Sequence, residues 1–323
     1  MGGDVSSLSQ KALNDTRVLW EADEQTSREY VMFTWIKKNA VTLLLILVML
    51  IGAGLIAYPS FSDWWNSYHQ SRAVDAYIES VSRAEPENSE KMLQEAEEYN
   101  RQLEHLSNQW FMSEERKASY EKLLALNGSD IMGYLSIDKI GVRLPIHHGT
   151  DESVLQVAIG HIAETSLPVG GPGTHCVVSG HRGLPSARLF TDIDKLVIGD
   201  YFTLSVLGRE MTYEVDQIVT VLPTEMEELQ ITPGKDYCTL LTCTPYGINT
   251  HRLLVRGKRI ANPVKQEAEE NETPVEQEET AEQLPIPIFM VVLLAIFGVQ
   301  IVILMICFIR NVGKNKRHGK TGE

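Results

Sequence analysis

Two stretches of this chain end in residues that could share a reaction. Asp236-Tyr237-Cys238-Thr239-Leu240-Leu241-Thr242-Cys243 is a β-prone run that stops at Thr244-Pro245-Tyr246-Gly247, so Cys243 stands at the C-terminal edge of a strand. Substrate can reach a thiol there. Cys238, five residues earlier, falls on the opposite face by strand alternation and is expected to be buried. Thr174 to Gly183 has the same grammar, an apolar run that gives way to a loop and leaves His181 at its end. An imidazole near a thiol can take its proton and later protonate a leaving amine. Arg252 opens the last β-prone run, after the turn from Pro245 to Thr250. If that run returns antiparallel beside the Cys243 strand, its fixed charge comes close to the thiol and can stabilise an oxyanion. Arg256 points to the same face about 13 Å further along and ranks second. His148, His161 and His251 are rival imidazoles. A single cysteine is more often an inert small hydrophobe, and a single histidine a satisfied structural one. Their joint occurrence at strand edges is what favours covalent chemistry.

The elements that must position these groups are short. From Asn127 to Asp130 onward the chain turns into β-prone runs near 131–137, 142–147, 174–180, 201–207, 211–221, 237–243 and 251–260, punctuated by Gly and Pro. That spacing predicts an antiparallel-rich barrel or sandwich. Asp63 to Leu126 reads as helix, with apolar residues Met92, Ala96, Tyr99 and Leu103 on one face and a break at Glu85 to Ser89, where Asn88 or Ser89 is a plausible cap.

Outside these regions the pattern is that of a membrane protein. Residues 39 to 62 carry no charge, and Val41 to Tyr58 is long enough to span a bilayer; a second charge-free stretch runs from Gln283 to Ile309. Lys37 and Lys38 precede the first stretch, and Arg310, Lys314, Lys316, Arg317 and Lys320 follow the second, which predicts both termini cytoplasmic and the part between them external. The first stretch is either a retained anchor or a cleaved signal peptide, and the absence of a convincing small-x-small site at Ala57 favours the anchor. With 29 Lys+Arg against 43 Asp+Glu the net charge is -14, which argues against nucleic acid as a partner. Eight glutamates and one lysine between Asn262 and Gln283 mark a solvated tether. No Cys-x-x-Cys pair or other metal-ligand spacing occurs, and no metal or cofactor is expected. The resulting order is 1–38 cytoplasmic tail, 39–59 span, 60–129 helical segment, 130–261 β domain, 262–284 acidic tether, 285–309 span and 310–323 basic tail.

Thr239-Leu240-Leu241-Thr242-Cys243 resembles the TLxTC signature of sortases, and the continuation to Arg252 resembles the extended form of class C, pilus-assembling sortases. Ser179-Gly180-His181-Arg182-Gly183-Leu184-Pro185 is similar to their histidine segment. Residues 130 to 260 carry the likeness. It implies an eight-stranded β-barrel and a cysteine transpeptidase. Cys243 would attack the Thr–Gly bond of an LPxTG-like sorting signal to form a thioester. An amine would resolve it, typically a pilin lysine, or else a cell-wall precursor. His181 would be the acid/base, and Arg252 would orient or stabilise the carbonyl oxygen.

Class C members commonly carry an Asp-Pro-aromatic lid, and this chain contains no Asp-Pro dipeptide. Trp110 or Phe111 stands at about the expected place and could cover Cys243 without the Asp anchor to Arg252; the competing reading is an aromatic linker simply packed on the barrel. Cys176 precedes His181 by the same five residues that separate Cys238 from Cys243, so parallel neighbouring strands would set those two thiols face to face, where a disulfide could form. Leu284-Pro285-Ile286-Pro287-Ile288 imitates a sorting signal in layout but lacks Thr-Gly. A non-catalytic surface scaffold and a papain-like hydrolase are the alternatives. The first has no use for the three edge residues, and the second places its cysteine at a helix N-terminus.

Overall fold

Helix α1, Ala40–Arg83, runs 44 residues without interruption, through Pro59. Its first half is apolar and unburied, and among the described residues it is the one helix long and apolar enough to cross a membrane. Its buried residues begin at Gln70, followed by Val74 and Tyr77. The Tyr77 hydroxyl donates to Met132 O at 2.8 Å and accepts from Leu207 N at 2.9 Å, bolting the helix to the β domain. Helix α2, Pro86–Glu104, starts earlier than the sequence suggested, with Glu85 as its N-cap instead of Asn88 or Ser89. Pro86 sets the helical φ at the first turn and has no N–H to leave unsatisfied there. The buried face of α2 is Leu93, Ala96, Asn100 and Leu103. Asn100 brackets the Leu167 backbone, donating to its carbonyl at 3.1 Å and accepting from its N–H at 2.7 Å. Helix α3, Glu114–Tyr120, is capped by Ser113, whose hydroxyl accepts from Arg116 N. A single turn, α4, covers Glu152–Leu155.

Eight strands follow: β1 Ile131–Ile137, β2 Val142–His148, β3 Ile159–His161, β4 Thr174–Ser179, β5 Tyr201–Val206, β6 Arg209–Val221, β7 Asp236–Thr244 and β8 His251–Arg259. They close into a barrel in the order β1-β2-β3-β4-β7-β8-β6-β5. The β2/β3 and β4/β7 pairs are parallel and the rest antiparallel. Closure leaves no unpaired edge, as expected for an all-β domain of this size. Strand β3 is the one the sequence reading missed. It is three residues long and contains Gly160, where a Cβ would stand 2.0 Å from Gly149 O.

Alternation along each strand divides the residues between two apolar clusters. Inside the barrel lie Cys176 and Val178 of β4, Cys238 and Leu240 of β7, and Leu253 and Val255 of β8. On the outer face of the same three strands Val177 and Leu254 pack with Leu229, and Leu241 and Trp110 border them.

The structure describes Tyr30, residues 32 to 262, and residues 295, 297 to 300, 302 and 306. The expected second span, acidic tether, terminal tails and Cys307 lie wholly or largely outside the described residues. The chain divides into two units, Met1–Ala57 with Ile286–Glu323, and Tyr58–Pro285.

Candidate active site

Strand register decides which of the separated candidates meet. Strands β4 and β7 run parallel with Ser179 opposite Leu241. The pairing continues past the end of β4, because Gly180 N donates to Leu241 O at 3.1 Å and the Thr242 hydroxyl donates to Gly180 O at 2.7 Å. One residue further on both chains stand His181 and Cys243. On the other flank β7 and β8 are antiparallel, with Cys243 directly opposite Arg252. Cys243 therefore occupies the middle strand of three, with neighbours at a strand spacing of about 4.8 Å on either side. Thr242 points inward and is buried, so Cys243 points outward, and the thiol is free and half-buried.

The backbone around His181 admits little else. Gly180 precedes it because a Cβ there would stand 2.9 Å from Ile159 Cγ2 and from the Phe190 ring. Phe190 N donates to His181 O at 3.1 Å, and Gly183 N donates to the Thr191 hydroxyl at 3.2 Å, so the loop folds back to hold the histidine. The Nε2 atom of His181 is buried with no hydrogen-bond partner among the described residues, and the Glu152 carboxylate stands 4.0 Å from it. A ring nitrogen left uncommitted is available for proton exchange.

Arg252 is oriented by its own turn. Its Nη1 donates to Asn249 O at 3.2 Å and to His251 O at 3.1 Å, and Asn249 sits at a φ of 61°, in the left-handed region that asparagine tolerates. Arg182, next to His181 in the sequence, ties the two loops flanking the thiol. It pairs with Asp194, donates to the Thr244 hydroxyl at 3.3 Å and lies 5.9 Å from the Tyr246 ring centroid. Its position beside His181 was visible in the sequence, but its partners were not.

The rival residues have other occupations. Arg256 forms a two-pronged pair with Asp216 at 3.0 and 3.1 Å and stacks over Tyr237 at 4.3 Å. His161 is buried on β3 between the Tyr120 hydroxyl and Ser166 O. His148 meets the carbonyls of Asp130 and Leu123. His251 contacts the Thr250 hydroxyl at 2.9 Å.

Below the three residues, the outer cluster forms an apolar floor, and the candidate lid rests there. Trp110 packs against it, whereas Phe111 is 69% exposed. In place of an acidic anchor, Arg116 holds this segment by donating to Gln109 O at 2.8 Å, Phe111 O at 3.0 Å and the Tyr99 hydroxyl at 3.0 Å. Gln109 Oε1 also accepts from Ile231 N at 3.3 Å. That contact links the candidate lid segment to the loop between β6 and β7. His175 secures the loop in turn, with Nδ1 facing Gln230 O at 3.0 Å and Nε2 facing the Thr239 hydroxyl at 2.7 Å. A proton on Nδ1 and a hydroxyl donor to Nε2 satisfy both contacts with a neutral ring. Burial pushes the His175 pKa down to about 4.

Cys176 and Cys238 are register partners on parallel strands, face to face inside the barrel as the sequence spacing implied. Both are buried and both are free thiols, so the structure holds no disulfide there. Burial pushes the Cys238 thiol well above its usual range.

Residues 135–260 match the sortase domain. The structure of sortase C1 from Streptococcus agalactiae is 50% identical, covers 59% of this chain and 100% of its own, and superposes with a TM-score of 0.58. The chain belongs to the sortase family. Two other solved sortases of the same class agree. Sortase C from Streptococcus pneumoniae is 40% identical with a TM-score of 0.52, covering 59% of this chain and 97% of its own. Sortase C-1 from Actinomyces oris is 42% identical with a TM-score of 0.50, covering 54% and 99%. Sortase A of Bacillus anthracis is 24% identical over 229 residues, 71% of this chain and 99% of that protein. The kinship within the family is thus with class C, and the sortase described here is a cysteine transpeptidase.

Proposed function

We propose that this sortase is a membrane-anchored pilin polymerase whose chemistry is carried by Cys243, His181 and Arg252. The Cys243 thiolate attacks the threonine carbonyl carbon of an LPxTG-like signal, and Arg252 N–H groups receive the negative charge that develops on the carbonyl oxygen. The Thr–Gly bond then breaks, the glycine nitrogen leaves with a proton from His181, and the threonine acyl group stays on sulfur as a thioester. An incoming pilin lysine amine attacks that thioester, gives its proton to His181 and releases Cys243. Trp110 covers the apolar floor until the signal displaces it, and Phe111 marks the outer edge of the same segment. The apolar half of α1 anchors the enzyme, with the catalytic domain outside the cell and both termini inside.

The observation that supports this reading is the register itself, with the thiol strand flanked on one side by the Arg252 strand and on the other by the strand that runs into His181. The polymerase role rests on the class C kinship. To test it, the full chain in detergent is given an LPxTG-type peptide together with equal amounts of a lysine-bearing pilin peptide and a wall-precursor amine. Ligation to the lysine peptide as the faster product is expected. Preferential ligation to the wall amine would make this enzyme an anchoring sortase, and no cleavage between Thr and Gly would remove the reading altogether.

A further inference from the structure

Just beyond its apolar half, α1 presents two faces with opposite characters. Tyr58, Phe61 and Trp65 are spaced at three and four residues, which aligns them along one side of the helix. They are 56%, 43% and 49% exposed. Phe61 and Trp65 stack with centroids 6.3 Å apart, and the His69 ring lies tilted against Trp65 at 4.6 Å. Asp63, Asn66 and Gln70 repeat the same spacing on the other side, and all three are tied to the β domain. Asp63 Oδ1 accepts from Arg188 N at 2.8 Å, Asn66 Nδ2 donates to Ser186 O at 2.8 Å and Gln70 Nε2 donates to Val157 O at 2.6 Å.

The first two ties fall on the loop that turns back onto His181. Ser186 and Arg188 lie two to four residues before Phe190, whose N–H holds the His181 carbonyl. Three large aromatic side chains left in water on one helix face are costly, because each carries about 150–250 Å² of mostly apolar surface. What covers them follows from the helix they belong to. The stripe continues the uncharged segment 39–62 with no break, and aromatic rings with a polar edge collect where a spanning helix leaves the hydrocarbon.

We propose that Tyr58, Phe61 and Trp65 form a contact with the lipid headgroup layer, and that the same two helical turns register the His181 loop to the membrane surface. The inference rests on reading the apolar half of α1 as a membrane span. Eight residues separate Tyr58 from Asn66, a rise of about 12 Å. The loop is thereby held one short step from the bilayer, where a substrate still embedded in the same leaflet could present its signal. Asp63 and Asn66 are positioning residues in this arrangement.

The full chain in phosphatidylglycerol/phosphatidylcholine vesicles provides the test. Trp65→Phe keeps the aromatic face and removes one fluorophore, so the wild-type minus variant emission isolates Trp65. Bromine placed high on the acyl chains should quench that difference signal at least twofold more than bromine near the methyl ends, and aqueous acrylamide should quench it little. Ready acrylamide quenching would put the stripe in water and overturn the proposal. Protection from both bromine and acrylamide would mean that protein covers it, and stronger quenching by deep bromine would bury it in hydrocarbon; either result overturns the proposal too. Retention of the chain in vesicles at alkaline pH checks the span separately, so a failed quench with a retained chain refutes this inference alone. Trp65→Ser should raise KM about fivefold for a vesicle-borne signal while leaving kcat/KM for a soluble peptide unchanged. Equal effects on both substrates would reduce the stripe to a structural role.

Discussion

Inside and outside the β4/β7 strand pair, one residue type meets two fates. On the inner face Cys176 and Cys238 oppose each other in register, sealed in the barrel core. On the outer face, five residues further along β7, Cys243 is half-buried at the rim beside Arg252 and level with His181. Both sites pair a strand-borne cysteine with a neighbour on an adjacent strand. The difference is access and partner. Enclosure holds Cys238 as a neutral thiol, whereas Cys243 at the rim is partly exposed, with the Arg252 strand on one side and the segment that enters His181 on the other. An odd spacing of five turns the two side chains to opposite faces. Position on the strand decides which of these cysteines substrate can reach.

Exchanging the two fates gives the largest expected effect. Cys243→Ala should abolish peptide transfer, a loss of several orders of magnitude, because the acylating atom is gone. Cys238→Ala should leave kcat within about twofold and cost roughly 1 kcal/mol of stability for the lost buried atom. Comparable loss of turnover in both variants would erase the inner/outer distinction. Next in size, Arg252→Ala should lower kcat by about 10² to 10³ with little change in KM, the pattern of a donor used in the transition state. Arg252→Lys should recover only part of it, since a lysine cannot reproduce the planar fork fixed by Asn249 and His251.

The outer face is itself divided, and pH probes its lower half. His175 is neutral and buried there, with its folded pKa near 4 against about 6.5 when unfolded. Between those values the unfolded chain binds the extra proton, so stability is full above pH 6.5 and falls as pH drops toward 4, by up to about 3 kcal/mol from this residue. Denaturant titrations over that range should show the slope in the wild type and a flatter one in His175→Gln. An unchanged slope would mean that the lower face is open to solvent like the rim. The smallest expected effect concerns the candidate lid. Arg116→Ala removes the hydrogen bonds that hold the segment around Trp110, each worth about 1 kcal/mol, and should speed alkylation of Cys243 several-fold. No acceleration would show that Trp110 does not shield the thiol.

The sequence carried more of this arrangement than its length suggests, for identifiable reasons. Seven strands were readable because alternation and Gly/Pro turns mark them, and two of those strands end beside the candidate residues Cys243 and His181. Their parallel or antiparallel sense has no local signal, since register is set by pairing across the barrel. Strand β3 escaped because three residues cannot display a period. Its Gly160 has a tertiary cause, the close approach of Gly149. The cap of α2 was misplaced because Pro86 at the first helical position outweighs the polar residues that follow it. The Arg116 clamp and the Asp63 and Asn66 ties had no local signal. The clamp closes over five to seventeen residues and the two ties over 120 and 125, and all but the Tyr99 hydroxyl use backbone carbonyls or N–H groups that any residue could have offered.

The central claim is that the thiol at the rim between the Arg252 strand and the His181 loop is the acyl-carrying atom. Full-length protein incubated with an LPxTG-type peptide, quenched in acid and mapped by mass spectrometry, tests it most directly. The threonine-terminated acyl group is expected on Cys243 alone, cleavable by hydroxylamine as a thioester and reduced at least 10²-fold in His181→Ala. An acyl group on Cys176, Cys238 or any other residue, or an undiminished adduct in Cys243→Ala, would contradict the account.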